Sequence, residues 1–529
     1  MRVLTASDRA LLVEASDLDE AMRLNLAWEG VPGIVERIPG ARTVLVRFDP
    51  LRISASELAS VLVETEGQAG ELQSTGEVVV PVQYDGEDLE EAAALVGVSA
   101  EELVNRHLAA DWRVAFSGFA PGFGYVVSTD PLFDVPRRAS PRTRVPAGSV
   151  ALAGEFTGVY PRESPGGWQL IGRTDTVMWD IDRTPPALLS PGTLVRFEAA
   201  RPKVQLSPNG DDRASRRSGA ERHAGVNSDG PGFGARSAIE IIRPSLQLLV
   251  QDAGRPGYAA LGVSGSGVAD RRAMHDANTA VGNTRTAAVL ESVGGAELRF
   301  RGDGVAAVAG AVGALTLTDA DGVPRTVRHG EPFATADGDV LNLEYPERGM
   351  RYILAFRGGL RAAPALGSQS GDTLAGLGPA PLAAGDVLGI GDEAPFPVEP
   401  YAVERMLPEV GGLVELEITL GPRDDWFTQE AIAALTGQEW TVTPRADRVG
   451  VRLHGDVALE RKVGGELPSE GAVTGAIQVP PDGQPVLFLP DHPLTGGYPI
   501  IGAVTDRSLD LAGQLPPGAR IRFVVKENS

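Results

Sequence analysis

The chain contains an internal repeat that constrains its fold more than any other feature of the sequence. Residues 166–180, GGWQLIGRTDTVMWD, align without a gap with residues 496–510, GGYPIIGAVTDRSLD. Each copy is followed by a Pro-Gly turn and a short strand-like segment, LSPGTLVRF at 189–197 and LPPGARIRF at 515–523. A motif that recurs together with the segment after it predicts two similar units. We therefore predict two barrels of the same kind, one in each part of the chain.

Residues 201–237 divide the chain in two. The segment has no apolar periodicity and is rich in Gly, Ser, Asp and Arg, a composition typical of a flexible linker. Before it, two alternating segments are each followed by a helical pattern, which predicts a small ferredoxin-like α+β domain. After it, short strands alternate with Gly/Pro-rich turns, so the chain as a whole is predicted to be mainly β with an α+β portion. The predicted units are 1–76 (small α+β domain), 77–200 (barrel), 201–237 (linker) and 238–529 (two β-rich halves near 238–400 and 410–526).

The composition argues against several classes of partner. A net charge of −22 leaves no excess of cations for nucleic acid or for an anionic membrane surface. The absence of cysteine removes disulfides, thiol nucleophiles and Cys-ligated metals. The N-terminus shows no signal-peptide pattern, and no apolar run is long enough to span a bilayer. A soluble, cytoplasmic protein is expected.

Several common catalytic motifs do not occur in the sequence. It contains neither a GxxxxGK[ST] phosphate-binding loop nor a GxSxG nucleophile elbow. The six histidines never occur at HxxxH or HExxH spacing, so no metal site is predicted. None of the three lysines stands beside a methionine, as a biotin-accepting lysine would. No covalent biotin is therefore expected on this chain.

Polar residues set in glycine-rich turns remain as candidates for a site. The segment 250–283 is the richest in them, and it contributes Asp252, Arg255, Asp270, Asn278 and Asn283. Arginines recur in similar turns elsewhere, at Arg138, Arg142, Arg173 and Arg448. An arginine in such a turn can bind a carboxylate or phosphate through two N–H groups. An Asp/Arg pair can equally close a loop as a structural ion pair, and the sequence leaves both interpretations open.

Two further features also have two interpretations each. His107 ends the helical pattern EELVNRHLAADW, where a histidine can cap the helix or serve as a general acid or base. The segment GFAPGFGYV at 118–126 places three aromatic residues among glycines and a proline. It is either a hairpin whose rings fill the core or a rigid loop that lines a ligand pocket.

Longer motifs resemble a known pair of protein families. GFAPGFGYV, PRRASPRTRVPAGSVALAG and PGGWQLIGRTD are similar to allophanate hydrolase subunit 1, the family that includes the 5-oxoprolinase B subunit. VQDAGRPGY, SGSGVADRRAMHDAN, ADRVGVRLHG and TGGYP are similar to allophanate hydrolase subunit 2, which includes the 5-oxoprolinase C subunit. The chain therefore resembles a natural fusion of the two subunits. The resemblance implies cyclophilin-like β-barrels in both parts.

The resemblance implies a role in amide chemistry. 5-Oxoprolinase opens the lactam of 5-oxo-L-proline to L-glutamate at the expense of ATP, and it has a further A subunit that this chain does not contain. An ATP-dependent lactam hydrolase component, inactive without an A-like partner protein, is therefore expected. The same modules form the carboxyltransferase region of urea carboxylase, so biotin-dependent carboxyl transfer is an alternative. A regulator that binds a histidine kinase is a third interpretation, and a homo-oligomer is left open.

The resemblance also suggests site residues. Arg173, Arg255 and Arg448 are expected to bind the substrate carboxylate or an acyl-phosphate, while His107 or Asp252 moves protons. PDHPLTGGYP replaces the Gln-Thr-Thr run expected before GGYP, which leaves open whether Asp491, His492 and Thr495 belong to the site. The expected catalytic residues are His107, Asp252, Arg255 and Arg448. The expected substrate-binding residues are Phe119, Pro121, Gly122, Phe123, Tyr125, Arg138, Arg142, Gly167, Trp168, Gln169, Arg173, Asp270, Asn278, Asn283, Glu291, Gln478, Gly497 and Tyr498.

Overall fold

A computed structural model describes most of the chain. The described residues are 1–65, 74–138, 140–200, 237–399, 405–465 and 467–526. The predicted linker, except for Ser237, lies outside them. Within the described ranges strands greatly outnumber helices, as predicted for a mainly β protein. None of the helices described there is long and apolar enough to cross a bilayer.

The N-terminal unit is a four-stranded antiparallel sheet with two helices. Its elements are β1 (Arg2–Ser7), β2 (Ala10–Glu14), α1 (Leu18–Ala27), β3 (Ile34–Pro39), β4 (Thr43–Phe48) and α2 (Ala55–Glu64). The helices begin at capping residues, since Asp17 accepts the Glu20 N–H and Ser54 forms a capping box with Glu57. The strand order is β1-β2-β4-β3. The run from β2 to α2 follows the first five elements of a ferredoxin-like unit. Its edge strand β1, however, comes from the N-terminal end of the chain and pairs with β2.

This small sheet is buried on both faces. Successive residues of a strand point to opposite sides, so each face packs against a different neighbour. Val13 belongs to an apolar cluster with Phe156 of the following unit. Leu12 and Leu45 belong to another cluster with Phe488, near the C-terminal end of the chain. The sheet therefore lies between the two halves of the protein and packs against both.

The unit that follows is a seven-stranded, barrel-like sheet. Its elements are β5 (Glu77–Val82), α3 (Leu89–Leu95), α4 (Ala100–Ala109), β6 (Trp112–Ser117), β7 (Gly124–Ser128), β8 (Arg142–Val145), β9 (Ser149–Ala153), β10 (Phe156–Val159), β11 (Ser164–Gly166), β12 (Gln169–Arg173) and β13 (Leu194–Ala199). The sheet order is β12-β9-β10-β7-β6-β13-β5, and β8 pairs with β11. The Gln83 N–H donates to the Arg173 carbonyl at 2.8 Å, and the Arg173 N–H donates back at 2.9 Å. This bridge joins the two ends of the sheet.

The C-terminal part begins with two sheets that enclose an apolar core. Its elements are β14 (Ser237–Arg243), β15 (Gln247–Gln251), α5 (Arg271–Ala280), β16 (Val289–Val293), β17 (Ala296–Arg301), β18 (Gly304–Val312), β19 (Leu315–Thr318), β20 (Pro324–Thr326), β21 (Phe333–Thr335), β22 (Val340–Leu343), β23 (Arg348–Phe356), β24 (Leu360–Arg361) and β25 (Val387–Ile390). The sheet orders are β20-β19-β22-β17-β14-β25-β24 and β15-β16-β23-β18-β21. Residues of both sheets, among them Leu298 and Leu354, form one core.

The chain ends in a closed seven-stranded barrel. Its elements are β26 (Leu413–Leu420), α6 (Gln429–Gly437), β27 (Trp440–Val442), β28 (Gly450–His454), β29 (Glu470–Gly471), β30 (Ala476–Gln478), β31 (Val486–Phe488), β32 (Thr495–Gly496), β33 (Ile500–Val504), α7 (Asp506–Ala512) and β34 (Arg520–Val525). The strand order around the barrel is β26-β33-β30-β31-β28-β27-β34. Outside the barrel, β29 pairs with β32.

The two barrels match strand by strand. In each, the first strand runs parallel to the last, β5 beside β13 and β26 beside β34. The two copies of the sequence repeat supply β12 and β33, which occupy the same place in the strand order. A tryptophan five residues after a helical carbonyl also recurs: Trp112 Nε1 donates to the His107 carbonyl and Trp440 Nε1 to the Leu435 carbonyl, both at 2.9 Å. The predicted pair of similar barrels is confirmed.

Candidate functional site

A cavity of about 490 Å³ lies between the two barrels. Both copies of the Gly-Gly-aromatic repeat line it, Gly166–Trp168 from one side and Gly496–Tyr498 from the other. The described residues that line it, apart from these two motifs, are Phe119, Phe123, Tyr125, Arg137, Arg138, Pro141, Tyr160, Pro165, Arg461, Gly465, Ser469, Gln478, Pro481, Pro493 and Thr495. We name this space the inter-barrel cavity. It is the place where the two halves of the chain present polar groups to a shared space.

Aromatic rings from the first half form one wall of the inter-barrel cavity. The loop between β6 and β7 carries Phe119 and Phe123, and Tyr125 follows in β7. The loop turns through left-handed backbone at Phe119 (φ 62°) and Gly122 (φ 77°). The Phe123 and Tyr125 rings pack edge to face against Trp168, with centroids 5.2 and 5.6 Å apart. The two interpretations of GFAPGFGYV are therefore both correct in part, because the same rings fill the core and face the cavity.

The second half of the chain fixes this aromatic loop in place. The Phe119 N–H donates to Thr495 Oγ1 at 2.9 Å. The Tyr125 hydroxyl lies 3.2 Å from the same oxygen and 3.3 Å from Ser469 Oγ. These polar groups are buried, so leaving them unpaired would cost free energy. The wall of the cavity therefore depends on the docking of the two halves.

Two neighbouring arginines of the first half reach the cavity with anchored side chains. Arg137 Nη2 donates to Ser469 Oγ at 3.0 Å, across the boundary between the halves. Arg138 Nη1 donates to Asp88 Oδ1 at 2.6 Å. Anchoring of this kind lowers the conformational entropy that an arginine loses when it binds a ligand. Both side chains line the cavity.

Asp88 holds the positions of several groups behind this wall. Arg142 donates to both of its carboxylate oxygens, at 2.8 and 2.7 Å, and the Leu170 N–H donates at 2.8 Å. Burial raises the pKa of Asp88, but the hydrogen bonds from Arg142 and Leu170 outweigh burial and bring that pKa below its usual value. Asp88 is therefore an ionised anchor. Arg142 lies behind Arg138 and does not line the cavity.

A third arginine reaches the cavity from the second half. Arg461 donates from Nη2 to the Val479 carbonyl, and its guanidinium carbon lies 5.7 Å from the centroid of the Tyr498 ring. Its Nε is buried without a hydrogen-bond acceptor. Burial lowers the pKa of Arg461, which nevertheless remains a cation at neutral pH. Gln478 lies nearby and donates from Nε2 to the Tyr498 carbonyl at 3.4 Å.

The charged residues described in the walls of the inter-barrel cavity are all positive. Three arginines line the inter-barrel cavity, whereas none of the described residues in its walls is Asp or Glu. In a chain of net charge −22 such an excess of cations is local and specific. Arginines beside aromatic rings and amide groups can bind a carboxylate or another oxyanion. The arrangement favours a small anionic ligand with an apolar body.

Glycine is required where the walls approach each other most closely. A Cβ atom at Gly497 would overlap Arg137 Nη1, the nearest atom of the opposite half. A Cβ at Gly166 would overlap the Tyr160 hydroxyl. The repeated Gly-Gly dipeptides therefore allow side chains of the first half to lie directly against the backbone.

Half of the expected substrate-binding residues line the inter-barrel cavity. They are Phe119, Phe123, Tyr125, Arg138, Gly167, Trp168, Gln478, Gly497 and Tyr498. Pro121 and Gly122 belong to the aromatic loop, Gln169 donates to the Pro136 carbonyl at 3.2 Å, and Arg173 is exposed and pairs with Asp85 at 2.8 Å. None of these four lines the cavity.

Arg448, one of the arginines expected to bind substrate, lies instead in a buried ionic network. Arg448 is fully buried and donates to Asp491 at 2.9 and 3.0 Å, to the Gly267 carbonyl at 2.6 Å and to Glu291. Its three guanidinium nitrogens are thus all engaged within the protein. Glu291 also accepts the Ala269 N–H at 2.8 Å. Neither Arg448 nor Glu291 lines the inter-barrel cavity, and their expected roles at a site stay predictions.

Asp252 and Arg255 close loops. The Asp252 carboxylate accepts hydrogen bonds from the hydroxyls of Ser368 and Ser370 at 2.5 and 2.6 Å. Arg255 is buried and donates to the carbonyls of Ala365, at 3.2 Å, and Ser370. Within the described residues Asp252 and Arg255 form no ion pair with each other, since the carboxylate nearest Arg255 is that of Asp372, at 4.0 Å. Neither residue lines the inter-barrel cavity.

The remaining candidates of the 250–283 segment also make internal contacts. Asp270 caps α5 by accepting the Ala273 N–H at 2.9 Å. Asn283 donates from Nδ2 to Asn278 Oδ1 at 3.0 Å and accepts the Gly358 N–H at 2.8 Å. These groups satisfy buried backbone and side-chain partners. They position the helix and its following turn, away from the inter-barrel cavity.

His107 lies inside the first barrel. Its Nδ1 is 2.8 Å from the Tyr84 hydroxyl and its Nε2 is 3.0 Å from Thr157 Oγ1. Burial lowers the pKa of His107 to about 3. The imidazole is therefore neutral, hydrogen-bonded at both nitrogens and outside the inter-barrel cavity, and its expected role in proton transfer stays a prediction.

Sequence reasoning missed several lining residues, namely Arg137, Tyr160, Arg461 and Ser469, and the anchor Asp88. Arg137 stands beside Arg138 in PRRASPRTR, so the same motif contained the signal for it. Thr495, which the sequence left open, lines the cavity. Asp491 and His492 do not line it. Within the described ranges, no three or more His, Asp or Glu residues are grouped so as to hold a metal ion.

Comparison with known families defines the class of this protein. Residues 1–189 match the carboxyltransferase domain, subdomain C and D, and residues 261–525 match the carboxyltransferase domain, subdomain A and B. The second match alone spans half of the chain. The chain therefore belongs to the carboxyltransferase-domain family.

Individual proteins similar to this chain include subunits of 5-oxoprolinase. The chain is 43% identical over 173 residues to the 5-oxoprolinase B subunit of Escherichia coli O157:H7, covering 32% of this chain and 78% of that protein. It is 33% identical over 290 residues to the 5-oxoprolinase C subunit of Escherichia coli K12, covering 54% of this chain and 90% of that protein. The crystal structure of TTHA0988 superimposes with a TM-score of 0.81 at 34% identity, covering 98% of this chain and 99% of that one. The chain is thus arranged like a fusion of the B and C subunits.

Proposed function

We propose that the chain is the fused B and C component of an ATP-dependent 5-oxoprolinase, which hydrolyses 5-oxo-L-proline to L-glutamate together with a separate protein like the 5-oxoprolinase A subunit. The observation that carries the proposal is the inter-barrel cavity, with arginines from both halves and no described Asp or Glu in its walls. The likeness to two enzyme subunits of that name supports the same conclusion.

The cavity suits a small cyclic amide with a carboxylate. The carboxylate of 5-oxo-L-proline would pair with Arg137 and Arg138, and its ring would lie against the aromatic wall formed by Phe119 and Trp168. Arg461 would then stabilise negative charge on the lactam oxygen. The lactam oxygen would first take up the γ-phosphoryl group of ATP, with ADP as the leaving group. Water would then add to the activated carbon, the C–N bond would break and the nitrogen would take up a proton. A second water would release phosphate from the resulting acyl-phosphate, which gives glutamate. The residues of this chain would contribute binding and charge stabilisation.

The lining also suggests where ATP acts. Mg²⁺, which accompanies ATP, is commonly held by carboxylate oxygens. Because the described walls of the inter-barrel cavity carry no carboxylate, they do not fit Mg²⁺-ATP. We place the ATP-consuming step on the A-like partner protein. The present chain would then receive the substrate after or during its activation.

Glutamate release tests the proposal directly. Glutamate formed from 5-oxo-L-proline and ATP is measured for this chain alone, for the A-like partner protein alone and for the mixture. We expect turnover only in the mixture. Arg137→Gln should raise the KM for 5-oxo-L-proline, whereas the control Arg196→Gln should not, because Arg196 is an exposed residue of β13 far from the cavity walls. A mixture without glutamate release, but with transfer of a carboxyl group from carboxybiotin, would contradict the proposal and favour a carboxyltransferase.

A further inference from the structure

A second cavity, of about 260 Å³, lies where three parts of the chain meet. Its walls come from the small N-terminal sheet, from the segment 253–271 and from the C-terminal barrel. It shares no lining residue with the inter-barrel cavity. We name it the junction cavity. The proposed function makes no use of it, nor of the SGSG motif at 264–267 that lies in its wall.

The SGSG loop presents backbone donors without acceptors. No described residue accepts a hydrogen bond from the backbone N–H groups of residues 264, 265, 266 and 267. The loop turns through left-handed backbone at Ser266 (φ 49°) and Gly267 (φ 99°). Turns that present successive N–H groups form concavities that bind anions. Three of these four residues, Ser264, Gly265 and Ser266, line the junction cavity, so the loop has backbone donors available there for an oxyanion.

The serine side chains hold this loop rigidly. Ser264 Oγ donates to Asp372 Oδ2 at 3.2 Å, and Ser266 Oγ donates to Asp491 Oδ1 at 2.7 Å. Asp491 is in turn paired with the buried Arg448. The hydroxyls are thus committed to the protein. Only the backbone N–H groups of the loop remain for a ligand.

His492 offers a hydrogen-bond acceptor to the same cavity. It lines the junction cavity and is only 5% exposed. Its Nδ1 lies 2.9 Å from the Pro493 carbonyl, which can only accept, so Nδ1 carries the proton. Its Nε2 is then a lone-pair acceptor, for which no described residue is a donor. Burial lowers the pKa of His492 to about 4, so the ring remains neutral at physiological pH.

The cations of the junction cavity are already paired. Arg47 lies 2.7 Å from Glu36, and Arg9 and Arg271 lie 2.6 and 2.7 Å from Asp506. Asp8 also lines the cavity and accepts the Asp506 N–H at 3.2 Å, so the walls carry three arginines and three carboxylates, whose formal charges cancel. Recognition in this cavity would therefore depend on hydrogen bonds to the loop and to His492, and it would suit a small ligand.

We propose that the junction cavity binds a small oxyanion that carries a hydroxyl group, a chemistry shared by hydrogen phosphate and bicarbonate. The oxyanion oxygens accept the N–H groups of the SGSG loop, and the hydroxyl donates to His492 Nε2. The site is independent of the proposed lactam hydrolysis. It predicts selectivity, because sulfate resembles phosphate in size but has no proton to donate at neutral pH.

Isothermal titration calorimetry of the full chain with inorganic phosphate, bicarbonate and sulfate tests this site. We expect phosphate or bicarbonate to bind at least about tenfold more tightly than sulfate, since the sulfate oxygens would face the His492 lone pair. Whichever of phosphate and bicarbonate binds more tightly is then identified as the ligand of the junction cavity. Equal affinities for all three anions, or no binding of phosphate or bicarbonate, would overturn the proposal.

Two variants locate the binding. A Cβ at Gly265 meets no heavy atom within 4 Å, so Gly265→Val should fold normally while its side chain occupies the cavity and weakens phosphate or bicarbonate binding at least about tenfold. Gly437→Val, at the end of α6 and with equally open space, is the matched control. His492→Asn keeps a donor for the Pro493 carbonyl but lacks Nε2, and it should abolish the preference over sulfate. Unchanged binding in Gly265→Val would place the anion elsewhere and refute the site.

Discussion

Replacement of Gly497 by alanine separates the contribution of Arg137 from the stability of the fold. The new Cβ would overlap Arg137 Nη1, while the next nearest atoms, Arg137 Cζ and the Leu467 carbonyl oxygen, lie 3.4 Å away. Only the end of a flexible side chain must therefore move. We expect the free energy of unfolding to fall by about 1 kcal/mol or less.

The effect on substrate binding should be larger. Displaced from the wall, Arg137 can no longer donate to a carboxylate in the inter-barrel cavity. A hydrogen bond to a charged group contributes about 1.5–3 kcal/mol. Its loss corresponds to a roughly 10- to 150-fold increase in the KM for 5-oxo-L-proline. The assay is glutamate release in the presence of the A-like partner protein, with thermal unfolding measured in parallel.

A double-mutant cycle tests the mechanism of this effect. If Gly497→Ala acts by moving Arg137, then the Gly497→Ala/Arg137→Gln variant should have the same KM as Arg137→Gln alone. Additive effects of the two substitutions would show that the methyl group blocks the ligand itself. A large loss of stability in Gly497→Ala would refute the argument from the flexible side chain.

Three further predictions concern the contacts behind the cavity. Asp88→Asn should lower the free energy of unfolding by about 2–3 kcal/mol, measured with urea at pH 7. The wild type should lose stability as pH falls through the depressed pKa of the Asp88 carboxyl, and Asp88→Asn should remove that loss. Thr495→Val removes the hydroxyl that holds the aromatic loop, and about 1–2 kcal/mol of stability should be lost while Thr495→Ser retains most of it. His107 binds a proton in the unfolded chain at higher pH than in the folded one, so stability should decline from about pH 6.5 downwards toward pH 3. His107→Gln should flatten that part of the curve of unfolding free energy against pH.

Much of the fold was predictable because it follows from local patterns. The repeated Gly-Gly-aromatic motif precedes the same strand in both barrels, and the strand order around each barrel is then the same. The capped helices of the N-terminal unit begin where Asp17 and Ser54 stand. The edge strand β1 was not predicted, because only the end of RVLTAS is buried and an exposed edge strand carries a weak apolar signal.

The candidate site was predictable in its aromatic part and not in its charged part. Phe119 and Tyr125 belong to one short segment, GFAPGFGYV, whose glycines and proline mark it in the sequence. Arginines at glycine turns look alike in sequence whether they face a ligand or a carboxylate. Arg448 meets Asp491 inside the protein, whereas Arg461 meets an aromatic ring at the cavity. Only the tertiary pairing distinguishes these two cases.

The walls of the inter-barrel cavity come from both halves of a single chain. Its relatives include proteins named as the B and C subunits of 5-oxoprolinase, each similar to one part of this chain. Here Arg137 reaches Ser469 and the Phe119 loop reaches Thr495 within one chain. A covalent link between the two halves makes their association an intramolecular step. The small N-terminal sheet adds to this, because Val13 packs toward the first barrel and Leu12 toward the second. Arg137 and Arg138 of the first half and Arg461 of the second therefore line one cavity within a single chain.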